Sequence, residues 1–262
     1  MSAEISPTPS EAPEKAHVGI SVASGEMSPE ELRNFIGMAP DTYARAGARN
    51  VHGRSRATGK IVVAPVPALY NVWRLESGLP DRAPLSEQMQ ILRERAAKCV
   101  RPLRSLSVRE GVRITIGAQG NAFSFSLSHD DIAWIREVGA GVEFELWPSR
   151  VPLSPAPLKS ERHISRVHLR LQALGISTEP VYELASGISP DAQPMVHLAA
   201  LMAHLQEGMV PAERLRHSKV EFVYEVLGRE AETVVDEATV EELAELKASL
   251  TVVFEADLGE WV

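Results

Sequence analysis

An internal repeat narrows the folds open to this chain more than any other feature. Residues 111–147 lie on residues 219–255 at a constant offset of 108, without a gap. Val112 then coincides with Val220, Ile114 with Phe222, Ile132 with Val240, Ile135 with Leu243, Val142 with Leu250 and Phe144 with Val252. Upstream the offset is 109, where Val72-Trp73-Arg74-Leu75-Glu76-Ser77-Gly78 falls on Val181-Tyr182-Glu183-Leu184-Ala185-Ser186-Gly187. Further upstream it is 149, where Val18, Ile20 and Val22 fall on Val167, Leu169 and Leu171. The last two offsets differ by 40, so a segment of that length belongs to the first copy alone. A repeat of this kind implies two related units built around equivalent buried positions.

Local patterns fill in the units. Residues 17–23 alternate apolar and polar side chains and read as a strand. Ser28-Pro29-Glu30-Glu31 supplies an N-cap, a proline at the first helical position and an acid three residues on, and the helix stops at Gly37. Residues 41–67, punctuated by Gly47, Gly53 and Gly59, read as a long loop. A strand at 69–76 and one long amphipathic helix over 85–103 follow. Residues 112–116 and 122–127 alternate strictly around Gly-Ala-Gln-Gly-Asn and read as a hairpin. Ser128 and Asp131 cap a helix running to about residue 138, and a strand at 142–146 closes the unit. The second copy repeats the plan, with strands at 164–173, 180–185, 220–227, 232–235 and 250–255 and helices at 195–206 and 239–248. The expectation is an α+β protein of two tandem units, each an antiparallel sheet with helices packed on one face. Residues 1–16 are expected to be a disordered tail, 17–147 the complete unit, 148–160 a proline-rich linker and 161–262 the shortened unit.

Charge separates the halves. Residues 1–150 carry a net +1 and residues 151–262 a net −9. An acidic half disfavours nucleic acid and anionic membranes and suits a basic protein partner. No apolar run approaches a membrane span, and the opening residues lack a signal peptide's pattern, so the expected location is cytoplasmic. The single cysteine, Cys99, excludes an internal disulfide; it lies on the apolar stripe of its helix and reads as a buried thiol.

Several residues together resemble a bacterial family, the domain-of-unknown-function family 4279. They are the opening strand, the Ser28-Pro-Glu-Glu helix ending Gly37-Met38, the Tyr43-Ala-Arg45-Ala-Gly47 stretch, Trp73-x-Leu75-x-Ser77, and the closing helix and strand. The resemblance covers residues 17–147 and, in degraded form, 163–256. It implies a compact α+β bacterial domain and brings no reaction, cofactor or catalytic residue with it.

Candidate chemistry centres on the segment that is not repeated. Arg45, Arg49, Arg54, Arg56 and Lys60 lie there with no intervening acid, beside Tyr43. Guanidinium groups among glycines suit an anionic ligand or an acidic patch on a partner. On the last helix Glu241, Glu242 and Glu245 form an acidic outer face able to steer a basic partner. Trp73 and Tyr182 occupy equivalent positions and read as core anchors. His129-Asp130-Asp131 reads as a helix cap, and His197 and His204, seven apart, lack the spacing of a zinc pair. No metal or cofactor is expected, and no catalytic signature appears. The sequence therefore favours a non-enzymatic protein-binding module, with an immunity-type inhibitor of a co-encoded toxin as one form of it. The alternatives are an anionic-ligand sensor or enzyme using residues 45–60, and a structural or adaptor subunit.

Overall fold

Strand alternation and helix capping shape most of the chain as expected. The computed structural model describes residues 12–48, 51–54, 61–63, 67–149, 164–173, 182–189, 194–208, 210, 218–228 and 231–256. The first unit contains β1 (Lys15–Ser24), α1 (Pro29–Ile36), β2 (Thr42–Ala44), β3 (Val51–Arg54), β4 (Ile61–Val63), β5 (Asn71–Glu76), α2 (Leu85–Ala96), α3 (Val100–Ser107), β6 (Gly111–Gln119), β7 (Ala122–Leu127), α4 (His129–Val138) and β8 (Gly141–Trp147). The second contains β9 (Ile164–Ala173), β10 (Tyr182–Ala185), α5 (Pro194–Gln206), β11 (Ser218–Gly228), β12 (Ala231–Val235), α6 (Glu237–Glu245) and β13 (Ser249–Ala256). Both capping boxes form: Glu31 accepts the Ser28 N–H at 2.8 Å, and Asp131 accepts the Ser128 N–H at 3.0 Å.

The class is α+β, with one six-stranded sheet in the order β12-β8-β6-β1-β5-β2 and one five-stranded sheet in the order β10-β9-β11-β13-β7. These orders place equivalent strands at equivalent positions. The registers agree as well: Ile20 faces Ile114 as Leu169 faces Phe222, and Ile114 faces Val142 as Phe222 faces Leu250. β6 and β8 are parallel, as are β11 and β13, so the sheets are mixed where antiparallel ones were expected. The cause is the path through β7 and α4, a crossover that returns the chain in the direction of β6.

The expected hairpin of 112–116 with 122–127 does not form. β6 already has β1 on one side and β8 on the other, leaving no edge for β7. Instead β7 crosses to the second sheet and pairs with β13, Leu127 opposite Leu250. Reciprocally, β12 leaves the second unit and pairs with β8, Val235 opposite Val142. The two units thus exchange one strand each. Gly120 makes the crossing possible: its N–H bonds the Trp147 carbonyl at 3.0 Å, and a Cβ there would stand 2.7 Å from the Phe123 ring. Beyond it Phe123 stacks on Phe254 at 5.1 Å, and Phe125 meets Phe144 of the other sheet at 5.9 Å. All four rings are buried in a core that runs without a break through both units.

Three further expectations change. The helix over 85–103 is two helices, because the Pro102 ring excludes the carbonyl four residues back and forces a break before α3. Within 41–67 the described residues form β2 against β5 and the β3–β4 pair rather than a plain loop. Lys15 and Ala16, assigned to the tail, belong to β1, since Ala16 is buried and registers with Ala118.

Exchange makes each unit depend on the other. Expressed alone, residues 1–148 would leave β7 without β13 and β8 without β12. The expected product is insoluble or a strand-exchanged dimer by size-exclusion chromatography and light scattering; a stable folded monomer would contradict the exchange. Truncating Phe125 to Ala in the full chain should cost about 3–5 kcal/mol in chemical denaturation.

Candidate interaction site

Around β2, the described part of the segment extra to the first copy is tied down at the edge of the six-stranded sheet. β2 runs antiparallel to β5 with Tyr43 opposite Trp73. Trp73 is fully buried, as its position in the repeat suggested, and its indole N–H donates to the Met38 carbonyl at 3.2 Å. Just before β2, Asp41 receives both arms of the Arg95 guanidinium at 2.9 Å and the Glu76 N–H at 2.8 Å. Arg95 also donates to the Glu76 carbonyl. Beyond β2, Ala46 donates to the Asn71 side chain at 2.9 Å and Gly47 to the Ala68 carbonyl at 2.8 Å. The Arg95 guanidinium holds the Asp41 carboxyl below the ordinary carboxylate range; partial burial opposes this and the Glu76 N–H adds to it.

The sequence-nominated cations separate under this geometry. Arg45 pairs with Glu30 of α1, which commits it to bracing the segment. Arg54 ends β3 opposite Ile61. Arg49, Arg56 and Lys60 lie outside the described residues, as does the side chain of Arg54. Tyr43, by contrast, is 60% exposed. It is accompanied by three side chains that the sequence reading passed over: Phe35 at the end of α1, and Leu69 and Tyr70 before β5, all exposed. Among the described residues eight large apolar side chains are exposed, and these four belong to the unrepeated segment. Exposure of this sort leaves no trace in periodicity, since Phe35 and Tyr43 are typical core residue types.

The acidic face of α6 meets the first unit. Glu241 stands 3.4 Å from Arg104 and Glu245 3.6 Å from Arg136, while Glu242 is half-buried on the same helix. α4 and α6, the equivalent helices, pack side by side, and these pairs span the join. A cavity of about 720 Å³ opens between α2 and α4. Arg93 and Asp131, 3.4 Å apart, share its lining with Glu94, Trp134 and Glu137. Asp131 is already engaged as a helix cap, and the opposite charges largely satisfy one another.

Repeat equivalence explains residues that looked like chemistry. Ser77 bonds Gln88 at 3.1 Å in the first unit, and Ser186 bonds His197 at 2.6 Å in the second. Both pairs are buried and sit at the 109-residue offset, so His197 replaces a structural glutamine. Cys99 is buried with its sulfur 3.7 Å from that of Met38, and burial pushes its thiol pKa up. Among the described residues no three His, Cys, Asp or Glu side chains gather as metal ligands, and no helix is long and apolar enough to cross a membrane. No protein-family model, curated protein or solved structure matches the chain.

The Asp41 clamp has a defined pH dependence. A carboxyl depressed by folding stabilises the native state above its unfolded pKa and loses that contribution as pH falls through the lower folded value. Asp41→Asn should therefore lower the melting temperature at neutral pH, with the gap to wild type closing below about pH 4. An equal gap at pH 3 and pH 7 would refute the clamp.

Proposed function

We propose that this chain is a non-enzymatic protein-binding module whose contact face is the unrepeated segment of the first unit. One observation carries the reading: Phe35, Tyr43, Leu69 and Tyr70 are each exposed on the stretch between β1 and β5, where the first copy holds forty residues more than the second. Exposed aromatic side chains on a braced platform supply contact area with little ordering cost, which is how protein interfaces obtain their anchors. The bracing by Asp41–Arg95, Glu30–Arg45 and the 46–48 backbone supports the same view. The resemblance to the bacterial family named above fits a cytoplasmic module of this size. Within the class, an immunity-type inhibitor of a co-encoded toxin is the specific form to test.

The acidic α6 face contributes less to docking than its sequence suggests, because Glu241 and Glu245 already face arginines. An anionic-ligand site on residues 45–60 has less support, since Arg45 is paired internally.

Co-expression with the product of each adjacent gene tests the reading. A complex should form and should protect cells where that product is toxic. Phe35→Asp with Tyr43→Asp should weaken it at least about 100-fold by calorimetry, while circular dichroism stays native. A complex indifferent to both substitutions would remove the proposed face, and failure of every neighbour to bind or be neutralised would remove the immunity reading.

A further inference from the structure

Position-by-position comparison of the two copies singles out the cavity between α2 and α4. Every residue that lines it belongs to the described part of the chain. Its floor holds Trp134, only 7% exposed, with Arg93 and Asp131 beside it. Glu94 and Glu137 stand exposed on the rim. At the offset of 109, Arg93 and Glu94 correspond to Met202 and Ala203, and at 108 Trp134 corresponds to Glu242. Met202 is buried. The scaffold thus accepts an apolar residue where Arg93 stands, and packing alone does not require the polar lining.

Two kinds of bonding capacity are left over in this cavity. The Trp134 indole N–H has no acceptor among the described residues, yet it is not sealed from solvent. The buried side-chain atoms that lack a partner belong instead to Thr115, Ser149, His197 and His204. Trp134 reaches the surface where it lines the cavity, so its donor is open there. Glu94 accepts from the Gln90 side chain at 3.0 Å, and among the described residues neither Glu94 nor Glu137 has a cation within ion-pair distance. Arg93 and Asp131 offset one another at 3.4 Å, which leaves the floor neutral and the rim negative. Glu245, the counterpart of Glu137 in the second copy, shows what an acid at this position takes: Arg136 stands 3.6 Å from it.

We infer that the cavity binds a basic segment of another protein, with two Lys or Arg side chains on Glu94 and Glu137 and a peptide carbonyl on the Trp134 N–H. Carboxylates outside ion pairs attract cations, and a guanidinium meets them through two parallel bonds. An anionic ligand would be repelled by Glu94 and Glu137, whereas a neutral carbonyl suits the neutral floor. A protonated polyamine carries the right charge but offers Trp134 no acceptor. Ala97 and Val100 supply an apolar wall for the methylene stems of the basic side chains. The volume, about 720 Å³, lies within the usual range of ligand-holding clefts. The site shares no residue with the Phe35–Tyr43 face, so either can fail alone.

The probes are fluorescein-labelled peptides with two arginines separated by none, one, two or three glycines, titrated with the full chain by fluorescence anisotropy. At least one spacing should bind saturably, one to one. Replacing both arginines by citrulline, which keeps the shape and loses the charge, should weaken binding about tenfold, and so should Glu94→Gln with Glu137→Gln in the protein. Trp134→Phe, which removes the indole donor, should weaken it about fivefold. Absence of binding at millimolar protein for every spacing overturns the proposal, as does equal affinity for the arginine and citrulline peptides or indifference to the paired glutamine substitutions. Displacement of the peptide by agmatine at equal concentration also overturns it, because the cation alone would then account for binding. Glu94 and Glu137 are exposed, so the glutamine pair decides the matter even where Trp134→Phe misfolds.

Discussion

The pairing of β7 with β13 and of β12 with β8 is the interaction on which the remaining architecture rests. Each exchanged strand seals an edge that its own unit cannot seal, and each brings its apolar face into the other unit's core. Phe123 against Phe254 and Phe125 against Phe144 fuse two small cores into one. Burial rises with core size, so a merged core is more stable than two separate ones of half the length. The parallel β6–β8 and β11–β13 pairs, the packing of α4 on α6, and the arginine–glutamate pairs across that join all follow from the same crossing.

The repeat itself was fully legible, because equivalent buried positions hold residues of the same character and apolar alternation survives divergence. Caps were legible for the same reason: Ser28–Glu31 and Ser128–Asp131 are local chemistry. The exchange was not, since the run Ala122–Leu127 alternates identically whichever sheet receives it. Only the occupancy of both β6 edges decides, and that depends on residues far away in the chain. The break before α3 did have a signal in Pro102. For the face proposed above, the sequence pointed to the same segment but weighted its cations over its aromatics. Ion pairs such as Glu30–Arg45 and Asp41–Arg95 join residues 15 and 54 positions apart, beyond any local pattern.

Divergence between the copies is uneven in an informative way. The strands keep their registers, the buried serines keep a polar partner, and Gly78 and Gly187 both keep a positive φ. What differs lies at the periphery, where Arg95 corresponds to His204 and, among the described residues, β2 has no counterpart beside β10. Such a pattern is expected when the interior constrains packing while the rim is free to acquire contacts.

The exchanged strands also dictate the order in which the chain can mature. When β8 emerges from the ribosome, the strand that will lie beside it is still some ninety residues from being made, and the partner of β7 comes later still. Nascent chains therefore carry unpaired edges on β7 and β8 through most of the synthesis of the second half. Long-range pairing of this kind slows folding and leaves a window for mispairing between neighbouring chains on one message. Translation speed across residues 148–230 thus becomes a determinant of yield, a burden that two independent modules in tandem would never have carried.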